Sequence, residues 1–219
     1  VFLFGHSQGG ITAPLLAAKT KFKPRGIIVY GAVVKPWFEY MLDVFRKQPI
    51  LYKESLQSVE VNTRMITPLL YEWLVQGRSA GDLFTNPDFE AILTSKENPL
   101  AYNKGTFFGR SATFFSDLNR LNLFQTWAQA AVPTLAIYGE FDTQAISPES
   151  SQMIAQLINE VRPGKGTYKL LKGTDESLVK VRSFEESNQL RRTAKYREHA
   201  QQNFNPEIIE MTVNWMKQQ

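Results

Sequence analysis

The chain has 219 residues, 43% of them hydrophobic and 12% aromatic, enough to bury a substantial core. Its 25 basic and 21 acidic side chains leave a net charge of +4, too balanced to imply nucleic-acid binding on charge alone. The lack of cysteine excludes disulfides and thiolate metal sites, and two histidines leave little material for a zinc centre. No apolar run approaches the roughly 20 residues that span a bilayer.

In chain order, the apolar run Val1–Phe4 reads as a strand. It leads at once into Gly5-His6-Ser7-Gln8-Gly9 and then Gly10 and the apolar stretch Ile11–Ala18, which reads as a buried helix. Lys19–Lys23 is a basic turn, and Pro24 keeps the helix from continuing. Gly26–Gly31 is a β-branched run bounded by glycines, the pattern of a buried parallel strand. The long stretch 32–131 is rich in helix-period hydrophobics and aromatics, among them Trp37, Trp73, Phe89, Phe115 and Trp127, and most of these are expected to form a small core of their own. Thr134–Gly139, introduced by Pro133, is a second buried strand. Pro148–Val161 follows as a helix with Met153, Ile154, Leu157, Ile158 and Val161 at helical spacing. Thr167–Leu171 is a weaker strand. The segment Val179–Arg197, with Lys180, Arg182, Arg191, Arg192, Lys195 and Arg197 among several acids, reads as a solvated, salt-bridged face. Pro206–Lys217 closes the chain as an amphipathic helix. Strands alternating with helices predict an α/β fold, a parallel sheet with helices on both faces.

The motif G-x-S-x-G is weak by itself, and its flanks give it meaning. Strand, sharp turn and helix in that order force Ser7 into a tight, strained backbone position. Small residues are expected two places to either side, where Gly5 and Gly9 stand. This turn lifts the Ser7 hydroxyl above the sheet edge and points the backbone N–H of Gln8 at a developing oxyanion. On these residues the sequence resembles the α/β-hydrolase family, in its G-H-S-x-G-G branch of serine esterases, lipases and S33-like peptidases. The resemblance implies a hydrolase core over 1–31 and 132–219, with 32–131 as a helical cap. It also implies that strands precede Val1 in the fold, so the chain is expected to be the C-terminal portion of a longer protein whose preceding segment is its first partner. An unpaired hydrophobic first strand points the same way.

A serine nucleophile needs a base, and the base needs an orienting carboxylate. Tyr138-Gly139-Glu140-Phe141-Asp142 resembles the family's acid loop and makes Asp142 the candidate orienter, with Glu140 as the fallback. A plain turn aspartate would favour the same spot. After the last strand the family pattern expects G-x-D-H, whereas this chain reads Gly173-Thr174-Asp175-Glu176. Glutamate is a poor base here, since its reference pKa of about 4.3 lies far below neutrality. Loss of the histidine in a serine protease lowers turnover about a million-fold.

Two histidines remain. His6 adjoins Ser7, where neighbouring side chains diverge, and is expected to pack near the oxyanion region. His199 follows the acid in the right order as an alternative base, though a solvated surface histidine is the plainer expectation. The expected function is ester (less readily amide) hydrolysis through an acyl-enzyme on Ser7. The expected substrate is a small molecule with an apolar group, with no metal, cofactor, nucleic acid or membrane span involved. The alternative is a catalytically degenerate or engineered-inactive fold kept as a binding module, and Glu176 is its main support.

Overall fold

The computed structural model describes residues 1–193 and 196–219, so Lys195 of the basic segment lies outside the described residues. Two compact units emerge, one formed by 1–35 with 123–219 and the other by 36–122.

The first unit is built on a four-stranded parallel sheet. Its strands are β1 (Phe2–His6), β2 (Gly26–Tyr30), β5 (Thr134–Gly139) and β6 (Gly166–Leu171), in the order β1-β2-β5-β6. All neighbours run parallel, with Leu3 opposite Ile27, Ile28 opposite Leu135 and Ile137 opposite Lys169. β2 and β5 are buried at every residue, as their unbroken apolar runs demand of central parallel strands. Side chains alternate across the sheet. Ile28, Tyr30, Leu135 and Ile137 meet Ile208 and Trp215 of α11 (Glu207–Lys217). Ile27, Val29 and Ala136 point the other way and are equally buried. α1 (Gly9–Lys19) packs on β1 and β2, α8 (Glu149–Val161) packs on β5 and β6, and α7 (Leu123–Ala130) bridges α1 and α8. Two short helices, α9 (Phe184–Arg191) and α10 (Tyr196–Gln202), precede α11.

The second unit holds α2 (Trp37–Leu51), α3 (Leu56–Leu70), a π-helical turn at Tyr71–Val75, α4 (Ala80–Leu83), α5 (Pro87–Leu93), the two-residue strands β3 (Thr106–Phe107) and β4 (Arg110–Ser111), and α6 (Ala112–Arg120). Its core is aromatic. Trp73 stacks on Phe107 with centroids 4.1 Å apart, meets Phe115 edge-on, and donates its indole N–H to Ala112 O at 3.0 Å.

The boundary between the units departs from the 32–131 expectation. Residues 32–35 stay with the sheet unit, where Val34 N–H donates to Ser150 Oγ and Lys35 pairs with Glu149 at 2.6 Å. Residues 123–130 form α7, and Trp127, expected in the cap, is fully buried in the sheet unit. Helical periodicity alone does not say which of two cores a helix serves. Among the described residues, no helix is long and apolar enough to cross a membrane.

Candidate active site

The carboxyl ends of the four parallel strands bring together Ser7, Gly31, Asp142 and the Asp175–Glu176 pair. This is the edge at which open parallel sheets bind ligands. Ser7 sits in the left-handed region at φ 51°. That conformation is strained for a residue with a side chain, and the surroundings over-determine it. Ser7 N–H donates to Tyr30 O at 2.9 Å, while Ser7 O accepts from Gly10 N–H at 2.9 Å as α1 begins.

Gly5 is obligatory, because an added Cβ would strike the Gly9 carbonyl. Gly10 is obligatory too, against the Cβ of Ala32. Gly9 is not: a side chain there meets nothing within 4 Å. The steric demand therefore falls on Gly5 and Gly10, one residue along from the expected pair, because Gly9 contributes its backbone to the contact with Gly5. Ser7 is half-buried, and its hydroxyl has no hydrogen-bond partner among the described residues. Gln8 is the N-cap of α1, so its N–H lies at the positive end of that helix.

Asp142 follows β5 and is wholly buried. Its Oδ1 accepts from Gln144 N–H and Ala145 N–H, both at 2.8 Å. Its Oδ2 is buried with no partner among the described residues. Gly31, at φ 60°, leaves room for that oxygen, since a Cβ would come within 2.8 Å of it. Burial pushes the Asp142 carboxyl up to about 7; the two N–H donors oppose the shift, and the charge of Glu176 adds to it. Glu140, the fallback acid, instead accepts Gly173 N–H at 2.8 Å and ties the β5 loop to the β6 loop.

Glu176 is held on two sides. Its Oε2 accepts from Arg191 Nη2 at 2.6 Å, and its backbone carbonyl accepts from His6 Nε2 at 2.7 Å, with Oε1 4.0 Å from the same ring nitrogen. Since a carbonyl only accepts, His6 carries its proton on Nε2. Arg191, expected on a solvated face, is three-quarters buried and also reaches Asp175 Oδ2 at 3.6 Å. Asp175 is wholly buried and fully engaged. Its Oδ1 accepts from Ser177 and Val179 N–H, and its Oδ2 from Ser187 Oγ at 3.0 Å and Tyr196 OH at 3.5 Å.

Tyr30 OH donates to Asp175 O at 2.5 Å. Burial, joined by the charges of Asp142, Asp175 and Glu176, pushes that phenol well above its ordinary range. The sequence contexts of Asp175, Arg191 and Tyr30 do not mark them as partners at this edge, since Arg191 lies fifteen residues beyond Glu176 and Tyr30 reaches Asp175 across the sheet.

His199 does not reach Ser7. It lines a cavity of about 450 Å³ with Lys172, Lys180, Arg182 and Glu186. Its Nδ1 meets Asn203 Nδ2 at 3.2 Å, and its Nε2 is buried without a partner among the described residues. The ring is only partly exposed and its Nε2 is buried, so it is not the fully solvated histidine that the polar surroundings suggested. Among the described residues no cluster of three His, Asp or Glu side chains suits a metal ion.

No family model and no curated protein sequence matches the chain. Solved structures do. MenH from S. aureus is 18% identical with a TM-score of 0.39, the match covering 93% of this chain and 69% of that one. The esterase domain of a Rhodothermus marinus protein is 16% identical at TM-score 0.41, over 80% of this chain and 52% of that one. The monoacylglycerol lipase of Paleococcus ferrophilus is 21% identical at TM-score 0.41, over 85% of this chain and 64% of that one. The chain thus spans 52% and 64% of the lengths of the last two. Superpositions this loose leave the fold to be assigned on the chain's own strand order, elbow and loop carboxylates.

Proposed function

We propose that this chain, an α/β-hydrolase core by its parallel strand order and its strand–elbow–helix turn, is a serine hydrolase that takes an acyl group from an ester, less readily an amide, onto Ser7. The observation that carries the reading is the backbone of Ser7 at φ 51°, locked by Tyr30 O and Gly10 N–H and made sterically feasible by Gly5. Strain of this kind persists only where the surrounding structure enforces it, and it clusters at functional sites. In this reading Gln8 N–H stabilises the oxyanion and Asp142 is the acid of the β5 loop. Glu176 occupies the position where the family carries its histidine. The substrate is a small molecule bearing an apolar group.

The test is the intact mass of the chain after exposure to a fluorophosphonate, with Ser7→Ala as control. One adduct that disappears in Ser7→Ala is the expected result. No adduct on the folded chain would sink the reading. A second reading, a binding module on the same fold, is favoured by one observation: Arg191 neutralises Glu176, which is then no free base. Glu176→His separates the two, because an otherwise complete site gains turnover by orders of magnitude while a binding module stays silent.

A further inference from the structure

The basic segment after β6 does more than face solvent, because part of it walls the cavity of about 450 Å³ that holds His199. Three stretches of the sheet unit meet there: 172–173, 180–182 and 199–207. They are tied to one another without a ligand. Val181 N–H donates to Gly173 O at 2.9 Å, Lys180 N–H to Asn203 O at 2.8 Å, and Asn205 Nδ2 to the buried Thr174 Oγ1 at 2.7 Å. Walls fixed in this way make a pre-formed pocket.

The charges lining it do not cancel. Lys172, Lys180 and Arg182 stand against Glu186 and Glu207. Glu186 is consumed by Arg182: its Oε1 accepts from Nε at 3.0 Å and Nη2 at 2.7 Å, and its Oε2 accepts the Arg182 backbone N–H at 2.6 Å. Those bonds hold the Glu186 carboxyl below its ordinary range. Glu207 lies 3.9 Å from Lys180 Nζ, a loose contact between two exposed groups that neutralises little. Lys172 pairs with no acid among the described residues. His199 adds a neutral donor. Asn203 Nδ2 donates to His199 O at 3.0 Å, so the amide presents its NH2, and the His199 Nδ1 at 3.2 Å accepts from it. The ring proton therefore sits on Nε2, a buried atom with no acceptor among the described residues.

We propose that this cavity binds a small phosphorylated molecule, its phosphoryl group held by Lys172, Lys180 and the His199 ring. The site is independent of the reading of Ser7. A phosphoryl group offers two negative charges and three oxygens to donors arriving from different sides, which suits two lysines and an imidazole on separate stretches of chain. A flat, singly charged carboxylate is better matched by the fork of an arginine, and the fork of Arg182 is spent on Glu186. The volume of about 450 Å³ leaves room for the body to which the phosphate is attached.

The experiment titrates the full chain with inorganic phosphate and with glycerol phosphate, at about pH 8 where both are dianions, and at constant ionic strength. Calorimetry gives the affinity. The ring resonances of the two histidines, told apart with His6→Gln, give the place. Saturable binding at one site is expected, with a shift of the His199 resonances and none of His6. Lys172→Gln and Lys180→Gln each weaken it about tenfold or more, while Lys21→Gln, the same charge change outside the cavity, leaves it unchanged. Both cavity lysines are exposed, so the variants are expected to fold, and the wild-type resonances report the site without them. Equal weakening by Lys21→Gln, or no weakening by either cavity variant, would reveal a general response to net charge and overturn the proposal. Acetate displacing the phosphate at equal concentration overturns the choice of a phosphoryl group. Capture by phosphatidic acid vesicles without binding of glycerol phosphate assigns the face to a membrane instead. Neither phosphate binding, or binding that leaves His199 unshifted, removes the site altogether.

Discussion

Two buried aspartates stand at the ends of adjacent strands, and they are built alike on one side and oppositely on the other. Asp142 after β5 and Asp175 in the loop after β6 each accept two backbone N–H groups on Oδ1. The second oxygens differ. That of Asp175 meets Ser187, Tyr196 and Arg191, while that of Asp142 meets nothing among the described residues. A buried polar atom is ordinarily paired, so the saturated carboxylate reads as structure and the orphaned one as a site kept at a cost.

The sharpest way to break the contrast is Asp175→Ala. It strips Arg191 of one buried partner and leaves two N–H groups and the Ser187 hydroxyl unmatched, so urea denaturation is expected to show a loss of about 3–5 kcal/mol. A loss under about 1 kcal/mol would mean the loop does not depend on its aspartate.

Asp142→Asn comes next, and its signature is pH. The folded-state pKa of Asp142, about 7, lies above its ordinary value of 3.8, so the folded state binds the additional proton. Stability from this group is complete below about pH 3.8 and is lost as pH rises through about 7, by roughly 4 kcal/mol in all. The amide does not titrate. The wild type is therefore expected to weaken relative to Asp142→Asn between pH 4 and pH 8 in urea titrations, and parallel curves would contradict the burial of that charge.

Gly31→Ala is the mildest probe. It places a side chain at φ 60° and within 2.8 Å of Asp142 Oδ2, so a loss of about 1–3 kcal/mol is expected by thermal melt. An unchanged melt would show that Oδ2 has room to move.

Much of the sheet could be read from the chain. Ile27–Tyr30 and Thr134–Gly139 are uninterrupted apolar runs between turn residues, and a run of that kind has few other fates than a central parallel strand. The closing helix was equally plain from Ile208, Ile209, Met211, Val213, Trp215 and Met216, of which Ile208 and Trp215 are buried, together with Thr212. Ser7 was legible because its turn is specified within five residues. The partners of its neighbours were not. Whether Asp142 or Asp175 keeps an open oxygen depends on where Ser187, Arg191 and Tyr196 arrive, and those residues lie on helices whose sequences look merely polar and basic. The placement of Gly9 and Gly10 was missed for a related reason, since spacing marks both as small while only the packing of Ala32 shows which one must be.

Tyr30 offers its carbonyl to the Ser7 amide and its hydroxyl to the Asp175 carbonyl. One rigid ring therefore acts as a spacer with a fixed span between two parts of the chain that share no sequence proximity. Chemistry at this edge can be altered by exchanging the side chains on either loop, Glu176 included, without the distance between the loops drifting, because that distance is written in the length of a tyrosine.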